Sequence, residues 1–271
     1  MSQNYRPGGF KLLPDVVKNL LIINGLFFVA TYVFQNTFSI DLVEKLGLYF
    51  PTSNKFRIYQ LVTHMFMHGS LMHIFSNMFA LWMFGAVLEN TWGPKKFLIY
   101  YFVTAIGAAG LHLTVQYFEI SSLQNSLSSF LSNPTPSEFA SFISAQVPDY
   151  YQTTFKDVLN AWEASSGAIG YKENAMSLGR ELYELKLNIP TVGASGAVFG
   201  VLLAFGMLFP NTIIYLYFAI PVKAKYFVAF YGLFELWRGI QNSSGDNVAH
   251  FAHLGGMLFG FLLIKYWQKR P

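Results

Sequence analysis

The sequence predicts an all-α membrane protein: a bundle of six transmembrane helices with a long outward insertion between the third and the fourth. Composition is the first observation behind that prediction. The 271 residues are 53% hydrophobic and 18% aromatic but only 12% charged, about half the ~25% charged share of an ordinary soluble domain. Segmentation is the second. The apolar residues gather in six stretches, each near the length of about 20 residues that a bilayer core demands or somewhat shorter. One membrane domain therefore accounts for the chain better than two soluble ones.

Residues 1–15 read as a cytoplasmic N-terminal segment, followed by three transmembrane helices within 16–118. The first spans Val16 to Gln35, the second Leu61 to Leu88 and the third Phe97 to Phe118. No small-x-small cleavage site follows the first, so it reads as a retained helix rather than a secretion signal. Composition changes abruptly in residues 119–190, the predicted outward insertion. A Ser/Asn/Pro-rich run, SSLQNSLSSFLSNPTPS, comes first, then helix-compatible charged segments at Thr153–Ala164 and Lys172–Lys186. The expectation is a cap or a partly disordered segment. Residues 191–267 hold the last three helices, at Ala194–Phe209, Lys225–Ile240 and Val248–Trp267, and 268–271 form a cytoplasmic tail. The run Thr212–Pro221 is apolar but β-branched and proline-bounded, too short to span, and reads as interfacial.

Charge placement sets the expected orientation. Arg6, Lys11, Lys18, Lys95, Lys96, Lys223, Lys225, Lys265, Lys269 and Arg270 all fall on one side. Basic loops stay cytoplasmic, which places both termini there. The net charge of +4 is small and argues against nucleic acid, and the absence of cysteine excludes disulfides, thiolate metal sites and a cysteine nucleophile.

Three segments carry chemistry. The first runs from His64 through His68 and His73 to Asn77. Ionisable groups in membrane helices are costly and point to function, and His73 and Asn77, four apart, share a helix face. The second is Gly193-Ala194-Ser195-Gly196, opening the fourth helix after Pro190. Small residues there let a substrate approach, and a helix N-terminus suits a developing negative charge. The third is His250 to Gly260, in which Gly256 and Gly260 form a G-x-x-x-G face beside His253. All three segments enter from the outward side at a similar depth.

These motifs make the sequence resemble the rhomboid intramembrane proteases over residues 10–118 and 190–267. The markers are H-x-x-x-H-x-x-x-x-H-x-x-x-N ending at Asn77, GASG around Ser195, A-H-x-x-G-x-x-x-G at His253, and Glu89 at the end of the second helix. The resemblance implies a rhomboid-type bundle and a serine endopeptidase with Ser195 as nucleophile. It selects His253 rather than His250 as the base, because only His253 precedes Gly256 and Gly260 at the family spacing. It also implies an oxyanion site of His73, Asn77 and the Ser195 backbone N–H, supported by Gly193, Gly196, Phe199, Gly256 and Gly260. Two positions depart from the family pattern. Tyr59-Gln60 stands where Trp-Arg is frequent, and Phe199 where a tyrosine often stacks on the imidazole.

No Asp or Glu neighbours either catalytic segment, so the expectation is a Ser-His dyad, with the imidazole held by packing against Phe199. Gln60, His68 and Ser70 are expected to line an outward water cavity. Neither cofactor nor metal is implied, and the partners are the lipid bilayer and transmembrane protein substrates. The alternatives are a non-catalytic relative that binds membrane helices and a His-rich metal transporter, the latter opposed by the lack of accompanying carboxylates. A cysteine-free chain without a transit signal suggests a bacterial inner membrane.

Overall fold

An unbroken apolar run between Asp15 and Phe38 forms helix α1 (Asp15–Phe38). The structure, a computed structural model, describes residues 9–146, 155–165, 169–216, 219–241 and 248–269. Arg6, Arg270 and the start of the Thr153–Ala164 segment lie outside the described residues. Pro14 precedes α1 and offers no side-chain cap, so the unpaired N–H groups of the first turn need another acceptor. Glu89 supplies it from a different helix. Its Oε1 accepts from Val16 N at 2.9 Å and its Oε2 from Val17 N at 2.8 Å, and the side chain is buried.

Two short helices, α2 (Leu42–Leu46) and α3 (Gln60–Thr63), shape the loop that follows. Gln60 is only 1% exposed. Its Oε1 accepts from Arg57 N at 2.9 Å, and its Nε2 donates to the carbonyls of Lys45 and Lys55 at 3.3 and 3.1 Å. The Tyr59 hydroxyl also donates to Lys45 O, at 3.2 Å. Tyr59-Gln60 therefore ties the loop to itself, and Gln60 does not line a water cavity.

The second long helix, α4 (Leu71–Trp92), begins ten residues later than the expected Leu61. A 3₁₀ turn at His64–Phe66 and an extended stretch come first. Ser70 then caps the new helix by accepting from His73 N at 3.1 Å, a hydroxyl being a strong N-cap acceptor. Gly93, at φ 80, turns the chain into α5 (Pro94–Ser132), whose first position suits proline. This helix runs past the expected Phe118. Within the serine-rich run, Leu123, Leu127 and Phe130 recur at helical spacing and make a buried stripe. Against it pack Phe139, Phe142 and Ile143 of α6 (Pro136–Gln146), Leu159 and Trp162 of α7 (Lys156–Ala164), and Ala175 of α8 (Ile169–Leu187). These residues form a second, smaller core within 119–190.

Helix α9 (Ser195–Leu208) is buried on nearly every side. Its 14 residues make about 21 Å, less than the ~30 Å hydrocarbon core. Around it stand α4, α5, α10 (Ala224–Gln241) and α11 (His250–Lys269). The all-α expectation fails between α9 and α10, where β1 (Ile213–Leu216) and β2 (Ile220–Lys223) form an antiparallel hairpin. β-branched and aromatic residues favour strands, and Pro210 and Pro221 deny the run a continuous helix.

The protein is thus mostly helical. Three of its described helices, Asp15–Phe38, Leu71–Trp92 and Pro94–Ser132, are long and apolar enough to cross a membrane. Large apolar side chains such as Leu26, Val29, Phe75, Ile106 and Phe230 face outward, as a lipid solvent allows.

Replacing Glu89 by Ala leaves the half-buried N–H of Val16 and the buried N–H of Val17 without their acceptors, which costs about 1–3 kcal/mol for the buried one and less for the other. Thermal unfolding in detergent should show a lower Tm for Glu89→Ala, with Glu89→Gln falling in between. An unchanged Tm for Glu89→Ala would show that the capping contacts carry no stability.

Candidate active site

The segment entering α9 is tethered at three points. Thr191 and Leu48 exchange backbone hydrogen bonds at 2.8 and 2.9 Å. His112 Nε2 meets Thr191 Oγ1 at 2.8 Å, and Gly193 N donates to His64 O at 2.9 Å. Gly193 has φ 125, a conformation that favours glycine. So fixed, the chain starts α9 at Ser195, with its hydroxyl at the helix's first residue.

His253 occupies the first turns of α11, and its Nε2 lies 2.8 Å from Ser195 Oγ. The imidazole stacks on Phe199, with ring centres 4.1 Å apart and planes 6° apart. Phe199 stacks in turn on Tyr231 of α10 at 5.2 Å. This approach is possible because α9 and α11 meet at bare backbone. A side chain on Gly256 would collide with the Gly196 carbonyl, and one on Gly260 with the Tyr100 hydroxyl. That hydroxyl itself donates to Gly200 O at 2.8 Å, joining α5 to α9.

His73 reaches the same place from α4. The point that a Cβ on Gly193 would fill lies 2.8 Å from His73 Nε2 and 3.5 Å from Ser195 Oγ. Gly193 therefore leaves open a small space between an imidazole nitrogen and the hydroxyl. Asn77, one turn further along, is buried, and its Nδ2 donates to His73 O at 3.1 Å. Its other amide hydrogen has no acceptor among the described residues. His68 is buried beside His73, their rings 5.0 Å apart. His64 is buried with Nδ1 2.8 Å from Gln60 O. Ser70 acts as a cap. Neither ring nitrogen of His68 has a hydrogen-bond partner among the described residues.

The expectation of a site without a carboxylate is wrong. Glu235, on α10, puts Oε2 2.8 Å from His253 Nδ1 and 2.6 Å from His250 Nδ1. All three side chains are buried. The sequence argument looked for acids beside the motifs along the chain, whereas this one arrives from another helix. A signal was present, since a Glu inside an apolar membrane-type helix is itself a pointer to function. The sequence argument against metal, that no carboxylate accompanies the histidines, fails at the same place. Ligand atoms of Glu235, His250 and His253 lie within 4.8 Å of one another, close enough to hold an ion. The 2.6 and 2.8 Å contacts are hydrogen-bond lengths.

Comparison with known proteins agrees with the helical arrangement. Residues 55–122 and 166–270 match the Rhomboid domain. The unmatched residues 123–165 contain most of the small core packed under α6 and α7. The chain is 24% identical over 244 residues to RHOMBOID-like protein 12, mitochondrial, of Arabidopsis thaliana, covering 89% of this chain and 55% of that protein. It is 38% identical over 94 residues to Rhomboid protein 1, mitochondrial, of Saccharomyces cerevisiae, covering 33% and 25%. Rhomboid-like protease 3 of Toxoplasma gondii is 32% identical over 73 residues, covering 27% and 28%. The chain thus spans about half or less of the length of these relatives. Two of the three are named as mitochondrial, so they lend nothing to the expected bacterial inner membrane.

Adding a methyl group at Gly193 should fill the space between His73 and Ser195 and strain the backbone. Displacements of about 1 Å at such a centre cost on the order of 100-fold in rate. Gly193→Ala should therefore slow labelling of Ser195 by a fluorophosphonate by about that factor. Labelling at the wild-type rate would show that the space is not used.

Proposed function

Since the chain belongs to the rhomboid family of membrane proteins, we propose that it is an intramembrane serine endopeptidase that cleaves transmembrane helices near the outward membrane face. One observation carries the reading: Ser195 Oγ stands 2.8 Å from His253 Nε2, inside a bundle whose outer surface is apolar.

His253 takes the Ser195 proton on Nε2 as the oxygen attacks a peptide carbonyl, and it returns that proton to the leaving amine. Water then hydrolyses the acyl-enzyme with His253 again as base. The negative charge that forms on the carbonyl oxygen is met by His73 Nε2, the free Asn77 amide hydrogen and the Ser195 backbone N–H. That N–H is unpaired because it belongs to the first turn of α9. Phe199 limits imidazole rotation by stacking.

The substrate follows from the setting. A helix in lipid satisfies its own backbone and resists cleavage until its end unwinds. The targets are therefore transmembrane proteins with small or helix-breaking residues near the boundary. Six crossings, with α9, α10 and α11 completing the set begun by the three long helices, agree with the alternation of basic loops. Both termini then lie on the cytoplasmic side, or on the equivalent side of an organelle membrane. Residues 119–190 then lie outward, next to the site entrance.

Cleavage of a designed transmembrane peptide in detergent tests this reading. Ser195→Ala should abolish turnover, and Asn77→Ala should slow it by roughly 100-fold or more, as losing one oxyanion donor does. Residual cutting by purified Ser195→Ala would rule the assignment out. Chelators should leave the rate unchanged. Loss of activity on chelation, restored by a divalent ion, would move the chemistry to the Glu235 trio.

A further inference from the structure

Glu235 has no place in a two-residue mechanism, yet its carboxylate contacts the ring nitrogen of His253 that Ser195 does not use. The bond at Nδ1 is 2.8 Å, the bond at Nε2 to Ser195 is 2.8 Å, and Glu235 is 5% exposed. We propose that Glu235 is a positioning residue for His253, completing a Ser-His-Glu relay in which His250 anchors the carboxylate. The inference rests on Ser195 and His253 being the reacting pair.

Proton accounting supports it. Oε2 faces two imidazole nitrogens, at 2.6 and 2.8 Å, and one oxygen can donate at most one proton. At least one histidine must therefore donate to it. With the carboxylate ionised, both do, through Nδ1–H. Nδ1 protonation in neutral His253 leaves Nε2 with its lone pair toward Ser195, as a base requires. With the opposite tautomer, Nε2 would carry the hydrogen and could not accept the Ser195 proton. The ionised oxygen also offsets the positive charge on His253 once the ring is doubly protonated, and it does so in surroundings of low dielectric, where the attraction is large.

Burying a carboxylate is costly unless it is paired and hydrogen-bonded. His250, one turn before His253 on α11, satisfies the same oxygen and holds it in register. Among the described residues, His73 on α4 and His112 on α5 also interact electrostatically with His253. Tyr231 and Arg238 flank Glu235 by one turn on α10.

The full-length protein tests the proposal with Glu235→Gln and Glu235→Asp, assayed on a transmembrane peptide across pH. Glu235→Gln should lower kcat by about 100-fold or more, toward the ~10⁴ that an amide in place of the carboxylate costs in a serine triad, with KM little changed. The acidic limb of its kcat/KM profile should move to lower pH, because the imidazolium has lost its counter-charge. Glu235→Asp should restore part of the rate and bring the limb back toward the wild-type position. Histidine ¹⁵N spectra of the Ser195→Ala protein give a readout independent of any change at Glu235. His253 should appear as the Nδ1–H tautomer at neutral pH. A wild-type kcat and limb in Glu235→Gln overturns the proposal, as does an Nε2–H tautomer. Should Ser195→Ala still cut the peptide, the serine reading itself fails. If Ser195→Ala and His253→Ala are both dead while Glu235→Gln is normal, only the role of Glu235 fails.

Discussion

Contact between two bare stretches of backbone governs this molecule. Where α9 crosses α11, Gly256 lies against the Gly196 carbonyl so closely that a side chain would not fit. Ser195 immediately precedes Gly196, and His253 lies one turn before Gly256. Any side chain at the crossing would push the two helices apart by more than the 2.8 Å bond between hydroxyl and imidazole can follow. In a membrane, where apolar surface gains little by leaving lipid, close packing of small residues is among the few forces that hold helices together. The interaction that closes the bundle is therefore also the one that assembles the site.

Several buried polar side chains follow a second rule, each being held by partners from elsewhere in the chain. Glu89 is held by the two N–H groups opening α1, and Gln60 by three backbone partners in the first loop. Glu235 is held by two imidazoles. In the first two cases the bonds hold structure alone. Glu235 differs because one of its partners also faces Ser195, so the arrangement that satisfies a buried charge would, in the proposed mechanism, orient the base as well.

Much of this was legible in the sequence. The long apolar stretches identified most of the helices, and local motifs named the residues that gather around Ser195. Spacing alone suggested that His73 and Asn77 share a face and that His253 lies on the glycine side of its helix. Errors arose where local chemistry overrode apolar periodicity. Ser70 capped a new helix inside a stretch read as continuous. Leu123, Leu127 and Phe130 carried α5 through serines that looked like a breaker. Glu235 was missed for a different reason. Its partners lie 15 and 18 residues away on another helix, and neither composition nor period encodes which face of α10 meets α11.

The shortness of α9 ties these points together. A helix of 14 residues, surrounded by longer neighbours, begins inside protein rather than at the lipid boundary. Its first-turn N–H groups have no intrahelical acceptor, and in that setting neither lipid nor a capping side chain supplies one; Ala194 offers none. Those donors and the partial positive charge of the helix end are thus directed at the space beside Gly193 that His73 also faces. A longer fourth helix would span the bilayer more comfortably and would carry the hydroxyl out to the surface, away from Glu235, His253 and Asn77. The poor match to membrane thickness is what would let the proposed hydrolytic centre form at depth.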